Sequence, residues 1–102
     1  MKINVKIKKV VAQREWSDKQ TGENRKVTEV IAEEITNEAY KDQYLVSLFD
    51  SKADAFNDNF KEGDAVVMNV GFTVTERWYT NKQGEQAVEL RQRVAGYTIS
   101  KL

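Results

Sequence analysis

At the start of the chain Ile3, Val5 and Ile7 alternate with Lys2, Asn4, Lys6 and Lys8, a period of two that predicts a strand with one buried face. Beyond Lys9 the apolar phase moves to Val10 and Ala12, which predicts a bulge or bend near Lys8 and Lys9. Residues 15–26 are polar, with Gly22 near the tip, and read as a long hairpin loop. A second strand is expected over about residues 26–36. Its register stays open, because either Val27, Ile31 and Ile35 or Thr28, Val30 and Ala32 can face inward.

After a polar break at residues 37–42, Tyr44, Val46 and Leu48 form one face of a third strand, and Leu45, Ser47 and Phe49 the other. Apolar residues on both faces suit a central strand or one with a functional outer face. Ser51 followed by Asp54 predicts a capped helix start, and Ala53, Phe56 and Phe60 then fall on one helical side. Gly63 and Asp64 turn the chain into a fourth strand over residues 64–74, where Val66, Met68, Val70, Phe72 and Val74 alternate with smaller or polar residues. Gly71 inside it predicts a bend or bulge. A loop at residues 76–86 holds Asn81 and Gly84, and the last strand runs over about residues 87–99. Phe56, Phe60, Phe72 and Tyr97 lie on apolar faces and are expected in the core.

The order is three strands, a helix and two strands. That is the order of the five-stranded oligonucleotide/oligosaccharide-binding (OB) barrel, all-β with one short helix, whose ligands lie on the face of strands two and three and on the loops joining strands 1–2 and 4–5. Those two loops are the longest here. An α+β sandwich is the alternative, but a strand as long as residues 64–74 favours a coiled barrel. One such domain is expected to occupy residues 1–102.

Composition narrows the chemistry sharply. The chain has no Cys, His or Pro, which removes disulfides, Cys/His zinc sites, cysteine nucleophiles and His-dependent catalysis. No apolar run approaches a membrane span, and the Lys-rich start lacks a signal peptide's apolar core, so a cytoplasmic protein is expected. The formal net charge is +0, yet residues 1–26 sum to +5, residues 27–64 to −7 and residues 65–102 to +2. Such segregation can lay a positive stripe on a neutral protein, the footprint of a polyanion partner.

Aromatic and basic residues are interleaved where the two loops are expected. Trp78 and Tyr79 follow Arg77 and precede Lys82; Trp16 lies between Arg14 and Lys19, with Arg25 and Lys26 closing that loop. Bases stack on aromatic faces and phosphates pair with cations, so this pattern points to single-stranded nucleic acid. Two adjacent aromatics at a strand end cannot both point inward, so Trp78 or Tyr79 is expected outside. Arg91 and Arg93 share a face of the last strand, where they can track phosphates or pair with Glu29 and Glu33. If the open register turns Glu29 and Glu33 toward the ligand cleft, their carboxylates repel the phosphates.

The second half of the chain resembles bacterial and phage single-stranded DNA-binding proteins. The matching stretches are Val46-Ser47-Leu48-Phe49, Lys52-Ala53, Lys61-Glu62-Gly63-Asp64 and Arg77-Trp78-Tyr79-Thr80-Asn81-Lys82-Gln83-Gly84. The resemblance implies base stacking by Phe49 and by Tyr79, with Trp78 one residue away as a substitute. It also implies a role in replication, recombination or repair, and a homo-oligomer, dimer or tetramer. Gln43 departs from the family's frequent tryptophan at the start of the third strand, unless Tyr44 replaces it. The sequence stops at Ser100-Lys101-Leu102, so it resembles a binding domain lacking the family's acidic tail.

An enzyme is not expected: Asp50, Asp54, Asp58, Glu62 and Asp64 mark caps and turns, and no phosphate loop or nucleophile motif is present. No cofactor or metal is called for. The expected partner is single-stranded DNA, with RNA left open. The binding set is Arg14, Trp16, Lys19, Arg25, Lys26, Phe49, Arg77, Trp78, Tyr79, Lys82, Arg91 and Arg93. The competing reading is an OB-fold interaction or assembly module that uses its aromatics between subunits and binds no nucleic acid.

Overall fold

The computed structural model covers Met1–Leu102 and contains β1 (Lys2–Ser17), β2 (Asn24–Glu34), β3 (Gln43–Phe49), α1 (Ser51–Asn59), β4 (Ala65–Thr80) and β5 (Gln86–Lys101). The strands close into a barrel in the order β1-β2-β3-β5-β4. Neighbours are antiparallel except β3 and β5, which pair in parallel through Val46 opposite Val94 and Ser47 opposite Ala95. This is the OB order that the hydrophobic pattern predicts.

Inside the barrel, Val5, Ile7, Val30, Ala32, Val46, Leu48, Val66, Met68 and Val70 meet Phe56 of α1. The register of β2 is thereby decided: Thr28, Val30 and Ala32 face inward, while Ile31 pairs with Leu45 on the outer face. Thr28 tolerates burial because its hydroxyl donates to Asn57 Oδ1 at 3.0 Å. Phe60 stacks on Phe56 with ring centroids 5.9 Å apart. No helix is long and apolar enough to cross a membrane.

The predicted bulge in β1 lies between Ile7 and Lys9, and a second between Val10 and Ala12. In β4 the irregularity falls between Asn69 and Val70, beside Gly71. Gly71 itself makes room for an aromatic: a Cβ there would stand 2.5 Å from the Tyr97 hydroxyl. Tyr97 therefore lies on the surface over Gly71 and is 50% exposed, not in the core as expected. Phe72 also departs from the core and is 44% exposed. Beyond Val46 and Val94 strands β3 and β5 diverge, and Phe72 sits in that gap against Tyr44, ring centroids 6.3 Å apart.

About half of each expected long loop is strand. β1 pairs with β2 as far as Ser17 opposite Asn24, and β4 with β5 as far as Thr80 opposite Gln86, leaving residues 18–23 and 81–85 as the turns. Polar residues interrupt the apolar alternation at both strand ends and so hid these strands, but paired backbone groups are enough to continue a two-stranded arm. The helix start differs too. Its cap is Asp50, with φ 52°, and no side chain caps it; the Ser51–Asp54 capping pattern is not used. Asp54 N instead donates to the Asp50 carbonyl at 3.1 Å.

Candidate nucleic-acid interface

Because side chains alternate along a strand, the residues flanking the inward set of β2 and β3 share the barrel's outer face. On that face Val27 is opposite Phe49, Glu29 opposite Ser47, and Ile31 opposite Leu45. The far half of β1 adds Arg14 opposite Val27 and Trp16 opposite Arg25. β5 adds Arg93, two residues from Ala95. Together Arg14, Glu15, Trp16, Val27, Glu29, Ser47, Phe49 and Arg93 line an open cleft of roughly 530 Å³. Val27 forms its floor, with Trp16 and Phe49 partly exposed at its sides. A second cleft, lined by Tyr44, Leu45 and Phe72 among others, shares Glu29, Ser47 and Arg93 with the first. These three residues are the saddle between the clefts.

The β4–β5 arm has two chemically distinct faces. Register puts Thr75 opposite Arg91, Arg77 opposite Glu89 and Tyr79 opposite Ala87 on the face continuous with Arg93. The other face carries Phe72, Val74 and Trp78 across from Val94, Gln92 and Val88, with Leu90 opposite Glu76. Trp78 and Tyr79, which are interchangeable candidates in the sequence, thus point to opposite sides. The structure brings Arg14, Trp16, Phe49 and Arg93 into one cleft, puts Arg77, Tyr79 and Arg91 on the adjoining arm face, and leaves Trp78 on the apolar side.

Electrostatics sorts the basic candidates further. Arg14 is ion-paired with Glu29 inside the cleft. Arg25 Nε donates to both Asp50 oxygens at 3.1 and 3.0 Å, and Lys26 Nζ donates to Asp54 at 2.7 Å, so both brace β2 against the helix start. Arg77 and Arg91 converge on Glu89. Only Lys19, Lys82 and Arg93 of the candidate cations have no carboxylate partner within 4.0 Å. Lys19 and Lys82 are exposed in the two turns, and Arg93 is on the saddle.

The hydrogen bond from Arg25, helped by the Lys26 amide, holds the Asp50 carboxyl below the usual carboxylate range and raises Arg25 in turn. The hydrogen bond to Asp54 raises Lys26. The Gln43 amide, followed by Lys8, lowers Glu33, which also faces Lys41. Gln43 is occupied with Glu33, and Tyr44 turns inward, where burial raises its phenol. Tyr44 does not replace an outer-face tryptophan.

Glu29 faces the cleft, the arrangement that counts against phosphate binding at its floor, and Arg14 takes up its charge. The open register of β2 leaves Val27 unassigned and Glu29 conditional, and Ser47 is placed on the outer face of β3 without being singled out. Sequence reasoning missed Tyr97 because Tyr97 shares an apolar run; the glycine at position 71 was the available signal.

No family model matches the sequence, and no curated protein matches it. Among solved structures, the chain is similar to the mitochondrial single-stranded DNA-binding protein Rim1 of S. cerevisiae, with a TM-score of 0.55 and 14% identity, over 100% of this chain and 92% of that one. At that identity what is shared is the barrel. The neighbour is mitochondrial, so the likeness does not extend to the bacterial and phage grouping.

Proposed function

We propose that this chain binds single-stranded DNA without strong sequence preference, in the manner of the bacterial and phage proteins its second half resembles, in replication, recombination or repair. One observation carries the reading: a closed five-stranded barrel whose outer β2–β3 face holds an aromatic-sided cleft with an unpaired arginine at its saddle. Trp16 and Phe49 supply stacking surfaces there, and Tyr79 extends them along the arm. Lys19 and Lys82 supply the first phosphate contacts, and Arg93 stands unpaired at the saddle. Arg14, Arg25, Lys26, Arg77 and Arg91 contribute positive field but must first exchange a carboxylate partner.

The same reading includes a second copy of the chain. The structure exposes 7458 Å², whereas a compact monomer of this mass is expected to expose about 5,900 Å². Its radius of gyration is 16.2 Å, against about 13 Å for a compact chain of this length. The arm's apolar face, with Val74 58%, Trp78 63% and Leu90 61% exposed, accounts for part of that excess. Such a face favours burial between subunits, so the assembly reading and the DNA reading apply to opposite sides of one arm.

The test is tryptophan fluorescence during titration with a thymidine oligomer of about 30 nucleotides, long enough for several stacked bases. Quenching that weakens as salt rises is expected, and it should vanish in Trp16→Phe but persist in Trp78→Phe. No quenching at low salt in the folded protein would overturn the DNA reading and leave the assembly module.

A further inference from the structure

A carboxylate at the centre of a phosphate-binding cleft is a liability unless something other than phosphate approaches it. The Glu29 side chain is 16% exposed and lines both clefts. Arg14 engages its Oε1, and its Oε2 accepts no hydrogen bond. Ser47, directly opposite on β3, has a hydroxyl without a partner, and the Arg93 guanidinium beside them is likewise free. The saddle thus offers a fixed acceptor, a group that both donates and accepts, and a donor array. Trp16 and Phe49 stand in the same cleft, so a base stacked there brings its edge toward the saddle. Phosphates are then directed outward to the cations of the rim.

We propose that Glu29, with Ser47 and Arg93, reads the edge of a stacked base and favours bases bearing an exocyclic amine, cytosine over uracil in particular. This rests on the DNA-binding reading and refines it: the preference is modest and attaches to one base position. Cytosine donates from N4 and accepts at N3 and O2, which matches a carboxylate flanked by a hydroxyl and a guanidinium. Uracil puts the O4 acceptor where cytosine has its amine, so lone pairs face the carboxylate. One net hydrogen bond corresponds to roughly a two- to tenfold difference in affinity.

Affinities for deoxycytidine and deoxyuridine oligomers of equal length, measured at mildly alkaline pH where cytosine runs do not self-pair, test this. Deoxyuridine is the comparison because it lacks thymine's methyl group and differs from deoxycytidine only along the pairing edge, at position 4 and N3. The expected result is tighter binding of the cytidine oligomer by at least about twofold, with the ratio falling to one in Glu29→Gln as uridine binding improves. Glu33→Gln, which removes a carboxylate of the same strand that lines neither cleft, should keep the preference. Equal binding by the unaltered protein, a preference that survives Glu29→Gln, or one that is lost in Glu33→Gln would each overturn the proposal. Absence of binding to either oligomer would instead overturn the DNA-binding reading beneath it.

Discussion

Asp50 carries more structural duty than any other polar residue near the cleft. It is the one non-glycine residue with positive φ, at 52°, and it follows Phe49 directly. Its amide donates to the Lys26 carbonyl at 3.0 Å while its carboxylate accepts from Arg25 and from the Lys26 amide. These contacts outweigh the cost of a left-handed backbone at an L-residue. Because the folded-state carboxyl lies below its ordinary value, its contribution is present above about pH 4 and is lost as pH falls through the lower folded value. Asp50→Asn should therefore destabilise the protein near neutral pH and flatten its acid-side loss, read by thermal melts across pH. An unchanged acid limb would refute this. Phe49→Ala removes a stacking surface rather than a support. It should weaken thymidine binding by about 5- to 150-fold, the equivalent of 1–3 kcal/mol per stacked base, with little change in melting temperature.

Between elements, the contact that closes the barrel is the short parallel pairing of β3 with β5. It holds only two residue pairs, and the adjacent Gly96 lets β5 come close to the core side chains of β3. A Cβ at Gly96 would stand 2.5 Å from Leu48 Cδ2 and 3.2 Å from Val46 Cγ1. Gly96→Ala should cost about 1–3 kcal/mol through overpacking, measured by denaturant unfolding. A neutral result would mean that β3 shifts freely and that the saddle residues Ser47 and Arg93 are not rigidly spaced. The hairpin turns are simpler: Gly22 and Gly84 adopt φ 73° and 78°, and Asp18 and Asn81 accept from backbone amides within each turn.

For the molecule as a whole, charge pairing limits the salt response. With Arg93 turned to a base edge, the two unpaired cations left for phosphate, Lys19 and Lys82, predict a slope of log affinity against log salt of about −1.4, at roughly −0.7 per phosphate. A slope near about −5 would show that the paired arginines and lysines also meet phosphate. Leu90, exposed on the apolar side of the arm, gives an independent handle on assembly. Leu90→Glu should lower the mass measured by light scattering without lowering stability by more than about 0.5 kcal/mol, as for an exposed position in a folded monomer. A mass unchanged from that of the unaltered protein would remove this face from any subunit contact.

Element order, the β1 bulge, the inward set of β3 and the Phe56–Phe60 helix face were legible in the sequence, because each is a local periodicity imposed by burying one side of an element. The aromatic and basic candidates were legible as types, since stacking and charge are properties of side chains alone. What only the tertiary structure decided was where those side chains point. Val27 and Val30 are equally apolar, and only barrel closure sends Val30 inward and turns Glu29 to the cleft. Trp78 and Tyr79 are neighbours in sequence yet occupy opposite faces, since a paired strand alternates its side chains. Residues 15–17 and 76–80 read as loop because their apolar alternation ends, although their backbones remain paired. Ion pairing lay beyond the sequence for the same reason: Arg25 meets Asp50, and Arg14 meets Glu29, only after β2 has chosen its register between β1 and β3.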